Sequence, residues 1–274
     1  MNASLTPDRI DALNAQQIEH ALRVAWRGEC LIEAVEVTGS TNDDLALRAR
    51  EFQFAQCILR AADFQLGGRG RQRKIWRAAP GDALLFSIAV PVDAAVNTLP
   101  AVTLACGVAV ADCLAAHQVA VQLKWPNDVR VGGRKLAGIL SELVHDHDAR
   151  STLVVGIGVN WRLDDAARHE IGQPAVALSE LSSSAANREI WIGRLGAAVL
   201  AACDMFLRDG FEPFRARFNE LLEARGECVD VIEAGERTSS GRVVEVDPLG
   251  RLVLESDGAL HAISAGEVSL RAKQ

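Results

Sequence analysis

Two apolar segments, residues 56–61 and 84–90, read as core strands, and between them lies Gln65-Leu66-Gly67-Gly68-Arg69-Gly70-Arg71-Gln72-Arg73-Lys74-Ile75-Trp76. Four cations fall within the six residues Arg69 to Lys74. A connection this long inside a globular unit is usually functional or unstructured. The glycines let backbone N–H groups come close to a ligand, and the cations favour an anion such as a phosphate. From the residues alone, a solvated basic loop and an arginine–glycine RNA-binding tract remain equal rivals to an anion site. The chain as a whole is acidic, with 29 Lys and Arg against 36 Asp and Glu and a formal net charge of −7. A surplus of that sign makes a poor general nucleic-acid binder, so the positive charge is local.

Hydrophobic residues make up 49% and charged residues 24% of the 274 positions, a globular composition. The length predicts one large domain and one small one. Residues 7–26 read as a helix, with Pro7 in a first turn and Ile10, Leu13, Ile18, Leu22 and Trp26 at helical spacing. A strand is expected at 31–37, then a turn over Thr38-Gly39-Ser40-Thr41-Asn42 and a helix from Asp43 to Arg50 with a side-chain cap near its start. Residues 101–117 read as a buried helix. Residues 119–143 read as strand, turn and hairpin, with Gly132-Gly133 supplying positive φ angles. Another strand covers 152–159, and helices cover 188–208 and 211–224. After Gly226 the pattern changes to short strands at 229–232, 242–246, 251–255 and 260–263, separated by Asp247-Pro248-Leu249-Gly250 and Asp257-Gly258. The expected division is therefore a helical extension over 1–30, a larger unit over 31–225 and a small β unit over 226–274.

The longest strongly apolar stretch, Ala101 to Ala111, is too short to cross a bilayer, and residues 1–11 lack the apolar core of a signal peptide. Cys30, Cys57, Cys106, Cys113, Cys203 and Cys228 form no CxxC pair and several sit in apolar runs. They read as reduced thiols of a cytoplasmic protein without a membrane partner; a metal or disulfide framework is the alternative reading.

Lys124-Trp125-Pro126-Asn127-Asp128 and Arg134-Lys135-Leu136-Ala137-Gly138-Ile139-Leu140 flank the predicted hairpin. A two-residue turn at Gly132-Gly133 puts Arg130 opposite Lys135, a like-charge pair that a bound anion or plain solvation would relieve. Gly39-Ser40-Thr41-Asn42 can be a turn and helix cap. Gly156-Ile157-Gly158-Val159-Asn160 lacks the third glycine of a dinucleotide fingerprint, and the chain contains no P-loop, GxSxG or HExxH motif. His145-Asp146-His147-Asp148 reads as a polar turn rather than a metal site, and Ser179 to Ser184 as a polar loop. No metal ligand is assigned.

Taken in order, Gly39-Ser40-Thr41-Asn42, Gln65 with Gly68-Arg69-Gly70-Arg71 and Trp76, Lys124 to Asp128, Lys135 to Leu140 with Glu142, and Gly156 to Asn160 resemble the biotin–protein ligases, over residues 35–272. The end of the chain, Gly266 to Arg271, resembles that family's C-terminal SH3-like domain. The resemblance implies an α+β fold. Its catalytic domain is a mixed β-sheet like that of the class II aminoacyl-tRNA synthetases and biotin ligases, followed by a small SH3-like β-barrel. It further implies a two-step reaction: biotin and MgATP give biotinyl-5′-AMP and pyrophosphate, and a lysine of a biotin carboxyl carrier protein domain then takes the biotin. ATP, Mg2+ and biotin enter as substrates and activator, with no resident prosthetic group.

Carried over position by position, the resemblance implies that Lys135, Arg71 and Asp128 are catalytic. Lys135 serves the biotin carboxylate and the α-phosphate, and Asp128 holds or deprotonates the incoming amine. Biotin is expected to meet Ser40, Thr41, Asn42, Gln65, Arg69, Gly70, Arg71, Lys135, Gly138 and Gly158. The nucleotide is expected to meet Trp76, Asn127, Asn160 and Lys74. The loop departs from the family run Gly-Arg-Gly-Arg-x-Gly-Arg-x-Trp, since Arg73 stands for the third glycine and Lys74 for the third arginine. The charge is kept but the bidentate fork at 74 is lost. Weaker retention of the adenylate than in relatives with the full run is therefore expected, read as its dissociation rate. About 35 residues before the first strand predict a ligase without a DNA-binding repressor domain, and family habit leaves a homodimer open. The rival readings are a lipoate–protein ligase, which shares the catalytic fold, and a non-catalytic RNA-binding module.

Overall fold

The chain enters the fold through α1 (Ala15–Ala25), opened by Asn14, whose side chain accepts from the amides of Gln16 and Gln17. The computed structural model describes residues 12–52, 54–92, 99–148, 150–182, 187–233, 236–264 and 268–272. Residues 7–11 of the expected first helix lie outside these. β1 (Cys30–Thr38) and β2 (Cys57–Gln65) pair in parallel, joined by α2 (Thr41–Glu51) as the crossover that parallel strands require. Ser40 caps α2 by accepting from the Asp43 amide. Asp43 and Asp44 in the first turn and Arg48 and Arg50 in the last suit the helix dipole.

β3 (Ala83–Val92) is antiparallel to β2 and leads to α3 (Leu99–Ala115). The predicted hairpin is β4 (Gln122–Lys124), β5 (Asp128–Val131) and β6 (Arg134–His145), with Gly132 and Gly133 both at positive φ. β7 (Ser151–Asn160) runs antiparallel between β6 and β3. The seven strands lie in the order β1-β2-β3-β7-β6-β5-β4. Two short helices that the sequence pattern did not indicate follow, α4 (Asp165–Ile171) and α5 (Leu178–Leu181). Ser179 thus lies in a helical turn, while Ser183 and Ser184 lie outside the described residues. Then come α6 (Arg188–Asp209) and α7 (Glu212–Leu221).

Strand alternation divides the core. Ile58, Ala89, Val144 and Val154 point to one face and meet Leu45, Ala46 and Ala49 of α2. Leu59, Ile88, Leu153 and Val155 point to the other, against α1, α3 and α6. Because both faces are covered, β3 reads as a nearly continuous apolar run. By length and composition α6 alone among the described helices is able to cross a membrane. In this fold Trp191, Ile192, Leu195, Val199 and Leu200 bury its apolar side in the core. Burial pushes the Cys30 thiol up to about 12 and the Cys57 and Cys113 thiols to about 11. All three therefore stay neutral and weakly nucleophilic near pH 7.

A second, antiparallel sheet consists of β8 (Cys228–Glu233), β9 (Glu236–Val246), β10 (Leu252–Ser256), β11 (Ala259–Ile263) and β12 (Val268–Ala272), in the order β11-β10-β9-β8-β12. β9 begins earlier than the sequence pattern indicated, and β12 adds a strand at the end. The two sheets share one apolar cluster, in which Val229, Val231, Val246 and Leu252 join residues of α3, α6 and α7. Buried Asn219 of α7 ties the seam: its Nδ2 donates to the Val246 carbonyl (3.1 Å) and its Oδ1 accepts the Val246 amide (2.7 Å). The mixed α+β architecture, with its large mixed sheet and small C-terminal antiparallel sheet, agrees with the fold class expected from the sequence.

Candidate active site

The face of the sheet that α2 covers is left open beyond that helix's N-terminus, and there the strands lose their side chains. Gly138 of β6 and Gly158 of β7 are register partners, and Gly156 is two residues along on the same face. The result is a patch of bare backbone. The indole of Trp76 lies on it: a Cβ on Gly158 would come within 2.8 Å of the ring, and one on Gly138 within 3.2 Å. Trp76 was expected beside a nucleotide; it rests on the two glycines expected beside biotin. Its indole nitrogen is buried with no hydrogen-bond partner among the described residues.

Trp76 is delivered there by the Gly/Arg segment, which continues β2 as a small hairpin. The Trp76 amide donates to the Gly68 carbonyl, Arg69 pairs with Ile75, and the Gly70 amide donates to the Lys74 carbonyl. A 3-10 turn over Arg71–Arg73 closes it, with Gln72 at a φ of 55°. The left-handed conformation, which glycine prefers, therefore falls one residue before the position where the family run has glycine.

A cavity of about 330 Å³ is enclosed between this hairpin, the glycine patch and the β4–β5 turn. That volume lies at the lower end of the range for small-molecule sites. Every expected site residue lines it: Ser40, Thr41, Asn42, Gln65, Arg69, Gly70, Arg71, Lys74, Trp76, Asn127, Asp128, Lys135, Gly138, Gly158 and Asn160. The two segments on which the sequence reading depended, 69–71 and Lys135, thus meet in one pocket. Among the described residues, six cations (Arg69, Arg71, Lys74, Arg77, Lys124 and Lys135) and two carboxylates (Asp128 and Glu170) are on the wall. In a chain of net charge −7 this is a concentrated positive region, suited to a polyanion.

One end is polar and buried. The Gln65 Oε1 accepts from the Thr41 amide (2.6 Å) and the Thr41 hydroxyl (3.1 Å). Thr41 Oγ1 lies 2.7 Å from Ser87 Oγ, which donates to Asn42 Oδ1 (2.5 Å), while Asn42 Nδ2 donates to Glu142 (2.8 Å). Ser40, Thr41, Asn42 and Ser87 are all at most 5% exposed. Ser87 was absent from the sequence expectations, although a lone serine inside Leu84-Leu85-Phe86-Ser87-Ile88 was a visible signal. This network fixes the glycine at 156, because a Cβ there would overlap the Asn42 amide oxygen. Gly156→Ala is expected to lower stability by about 1–3 kcal/mol through overpacking, and to weaken small-molecule binding, in thermal melts and calorimetry respectively.

The other end carries the charge. The Lys135 ammonium sits 2.6 Å from Asp128 Oδ1 and 5.6 Å from the Trp76 ring centroid. Its backbone is clamped: its amide donates to the Pro174 carbonyl (2.8 Å), and its carbonyl accepts from the Val176 amide and Asn160 Nδ2, both at 3.0 Å. Asn160 donates also to the Val176 carbonyl (3.3 Å). Asn160, expected at the nucleotide, therefore spends its amide holding the Lys135 strand to residues 174–176. No motif in the sequence marked that segment. Asn127 Nδ2 donates to the Ile139 carbonyl (3.2 Å) and so ties the β4–β5 turn to β6. Arg69 is paired with Asp43, with Glu142 3.8 Å away. Burial, opposed by the nearby Asp128 charge, holds the Arg71 guanidinium below its usual range.

Arg130 and Lys135 are register partners, as the two-residue turn predicts. Their repulsion needs no bound anion, since Arg130 pairs with Glu223 (2.8 Å) and Lys135 with Asp128. Asp146 accepts from the amides of Asp148 and Arg150 and pairs with the Arg150 side chain, so its carboxylate organises a turn.

A model of the biotin/lipoate A/B protein ligase family matches residues 34–160, and one of the biotin protein ligase C terminal domain matches residues 226–271. A biotin–[acetyl-CoA-carboxylase] ligase of Mycobacterium tuberculosis is 31% identical over 261 residues, covering 93% of this chain and 95% of that protein. The bifunctional ligase/repressor BirA of Escherichia coli is 28% identical over 269 residues, covering 98% of this chain and 81% of that protein. Among solved structures, the biotin protein ligase from Aquifex aeolicus in complex with biotin and ATP aligns with a TM-score of 0.73 and 25% identity, over 89% of this chain and 99% of that one. With the first sheet and the second each matched by its own family model, and with near-complete coverage of a biotin ligase, this chain belongs to the biotin protein ligase family.

Proposed function

We propose that the chain activates biotin with ATP and transfers it to a lysine of a biotin carboxyl carrier protein domain. The observation that carries this reading is the cavity: a buried hydroxyl-and-amide end, a floor without side chains, and a wall of six cations against two carboxylates. In the first step a biotin carboxylate oxygen attacks the α-phosphorus of ATP. The bond to the β-phosphate breaks, and its electron pair leaves with pyrophosphate. Bringing anions together is opposed by their repulsion, and fixed cations remove most of that barrier. Lys135 is the compact charge at the meeting point, and Arg71 and Arg69 stand on the hairpin above it. The ureido ring, with one acceptor and two donors, suits Ser40, Thr41, Gln65 and Asn42. Gly70, Gly138 and Gly158 let the ligand lie against backbone, and Trp76, Asn127, Asn160 and Lys74 border the nucleotide. Because Trp76 rests on Gly138 and Gly158, ligand and indole compete for one surface, and Trp76 moves aside when the site fills. Magnesium travels with the ATP as part of the substrate.

In the second step the carrier's amine attacks the acyl carbon of the mixed anhydride, and AMP leaves. An amine with a pKa near 10 is protonated at neutral pH, and Asp128 is the carboxylate at hand to take that proton. Asp128→Asn keeps an acceptor for Lys135. Adenylate formation should persist while carrier transfer slows by about 10²-fold or more. The check is single-turnover transfer from preformed adenylate, and unchanged transfer removes Asp128 from this role.

The net charge of −7 supports a ligase without general affinity for DNA or RNA, and neutral buried thiols suit a reducing cytoplasm. The decisive experiment is incubation with labelled biotin, MgATP and a carrier domain, followed by the mass of the carrier. A mass gain with lipoate and none with biotin would favour the lipoate reading, and RNA binding without ATP turnover would favour the non-catalytic one.

A further inference from the structure

Lys124, on β4 beside the turn residues Trp125 to Asp128, has no part in the steps above. It lines the cavity together with Lys135 and Asp128. Across β4 and β5 it is the register partner of Asp128, while Gln122 is that of Arg130. Two carboxylates are near it, and each is already engaged: Asp128 lies 2.6 Å from Lys135 and Glu223 lies 2.8 Å from Arg130. Among the described residues Lys124 has no ion pair of its own. Three cations therefore share two carboxylates at this end of the pocket, and the one left without a pair, Lys124, is on the cavity wall.

We propose that Lys124 binds the β- and γ-phosphates of ATP and the pyrophosphate that leaves, opposite Lys135, which serves the carboxylate and the α-phosphate. This rests on the adenylation reading and deepens it. The bond that breaks lies between the α-phosphorus and the bridging oxygen, whose electron pair goes to pyrophosphate. Lys124 exchanges neither proton nor electron pair; it is a fixed charge where negative charge accumulates.

Its surroundings fit a cation that waits for an anion. Burial first, then Arg130 and Lys135, hold the Lys124 ammonium below the usual lysine range, although Asp128 and Glu223 pull the other way. A charge disfavoured in the empty protein lowers its stability, because the unfolded chain binds that proton more readily. A polyanion reverses the balance. Uncompensated charge of this kind is a common exchange of stability for function.

The test compares the full chain with Lys124→Gln and Lys124→Arg. Calorimetry gives the Kd of pyrophosphate and of biotin, biotin-dependent pyrophosphate exchange gives the KM for MgATP, and melts give Tm. Loss of a charge-assisted contact is expected to weaken pyrophosphate binding and raise the KM for MgATP by about ten- to a hundredfold. Biotin affinity should stay within about twofold, and the Tm of Lys124→Gln should equal or exceed that of the native chain. Lys124→Arg should restore most of the pyrophosphate affinity. Unchanged pyrophosphate affinity in Lys124→Gln overturns the proposal. So does a lowered Tm with biotin and pyrophosphate weakened equally, the signature of a merely structural lysine. If Lys124→Gln fails to fold, native pyrophosphate affinity in Lys124→Arg at low salt together with steep salt dependence supports the proposal, and salt-independent binding overturns it. A native chain that binds pyrophosphate through Lys124 but shows no biotin-dependent exchange overturns the adenylation reading and leaves the anion site standing.

Discussion

Lys135→Ala is expected to lower biotin-dependent adenylate formation by about 10²–10³-fold, the loss seen when one preorganised charge-stabilising donor is removed from a reaction centre. The size follows from how firmly the residue is held. Its backbone is pinned on both sides by residues 174–176 and by Asn160, and its ammonium by Asp128, which is 16% exposed at its side chain. The charge is therefore in place before the substrates arrive, and no reorganisation is needed during the reaction. Removing it leaves Asp128 without its ion-pair partner in a part-buried position, which costs about 1–3 kcal/mol. A drop in activity caused by that strain alone is separable. The double variant Lys135→Ala, Asp128→Asn should recover the melting temperature without recovering pyrophosphate exchange. Exchange within about tenfold of the native rate in Lys135→Ala would remove the central cation from the mechanism.

The residues that meet in the cavity were legible where chemistry left a mark on composition. Cations crowded among glycines at 67–74, a lysine after a tight Gly132-Gly133 turn, and glycines at 138, 156 and 158 are expensive or weak choices for a strand unless something lies against them. Helix and strand identities followed from apolar period because both faces of the large sheet are covered. What the sequence hid are contacts made by backbone. Residues 174–176 clamp Lys135 through the Pro174 carbonyl and the Val176 amide, backbone groups that hardly depend on residue type, so no side chain advertises them. The roles of Asn160 and Asn127 were obscured for the same reason: an amide that holds a neighbouring strand looks in sequence like an amide that holds a ligand. Trp76 was recognisable as a site residue, but its rest position depends on a hairpin turn whose left-handed residue is Gln72 rather than glycine.

Trp125→Ala is expected to destabilise the protein by about 3–5 kcal/mol, the range for emptying a buried aromatic site. Trp125 is 1% exposed and lies in the shared apolar cluster. Its indole nitrogen donates to the Gly250 carbonyl at 3.1 Å, 125 residues away in the turn between β9 and β10 of the second sheet. Gly250 itself, at a φ of 77°, is pressed onto Ala101 and Leu104 of α3, where a Cβ would come within 2.9 Å. One side chain therefore ties the β4–β5 turn, the long buried helix and the small sheet together. Trp125→Phe keeps most of the apolar volume and loses the hydrogen bond, so a smaller loss of about 1–2 kcal/mol is expected, read from denaturant midpoints. The functional consequence follows from position. Lys124 is the residue before Trp125, and Asn127 and Asp128 follow within three residues. If the small sheet braces this turn, Trp125→Phe should raise the KM for MgATP more than it weakens biotin, whose proposed polar contacts are the buried hydroxyl and amide groups around Thr41 and Gln65. Equal weakening of both, or no change in either stability or KM, would show that the turn stands without the second sheet and that the two units are energetically separate.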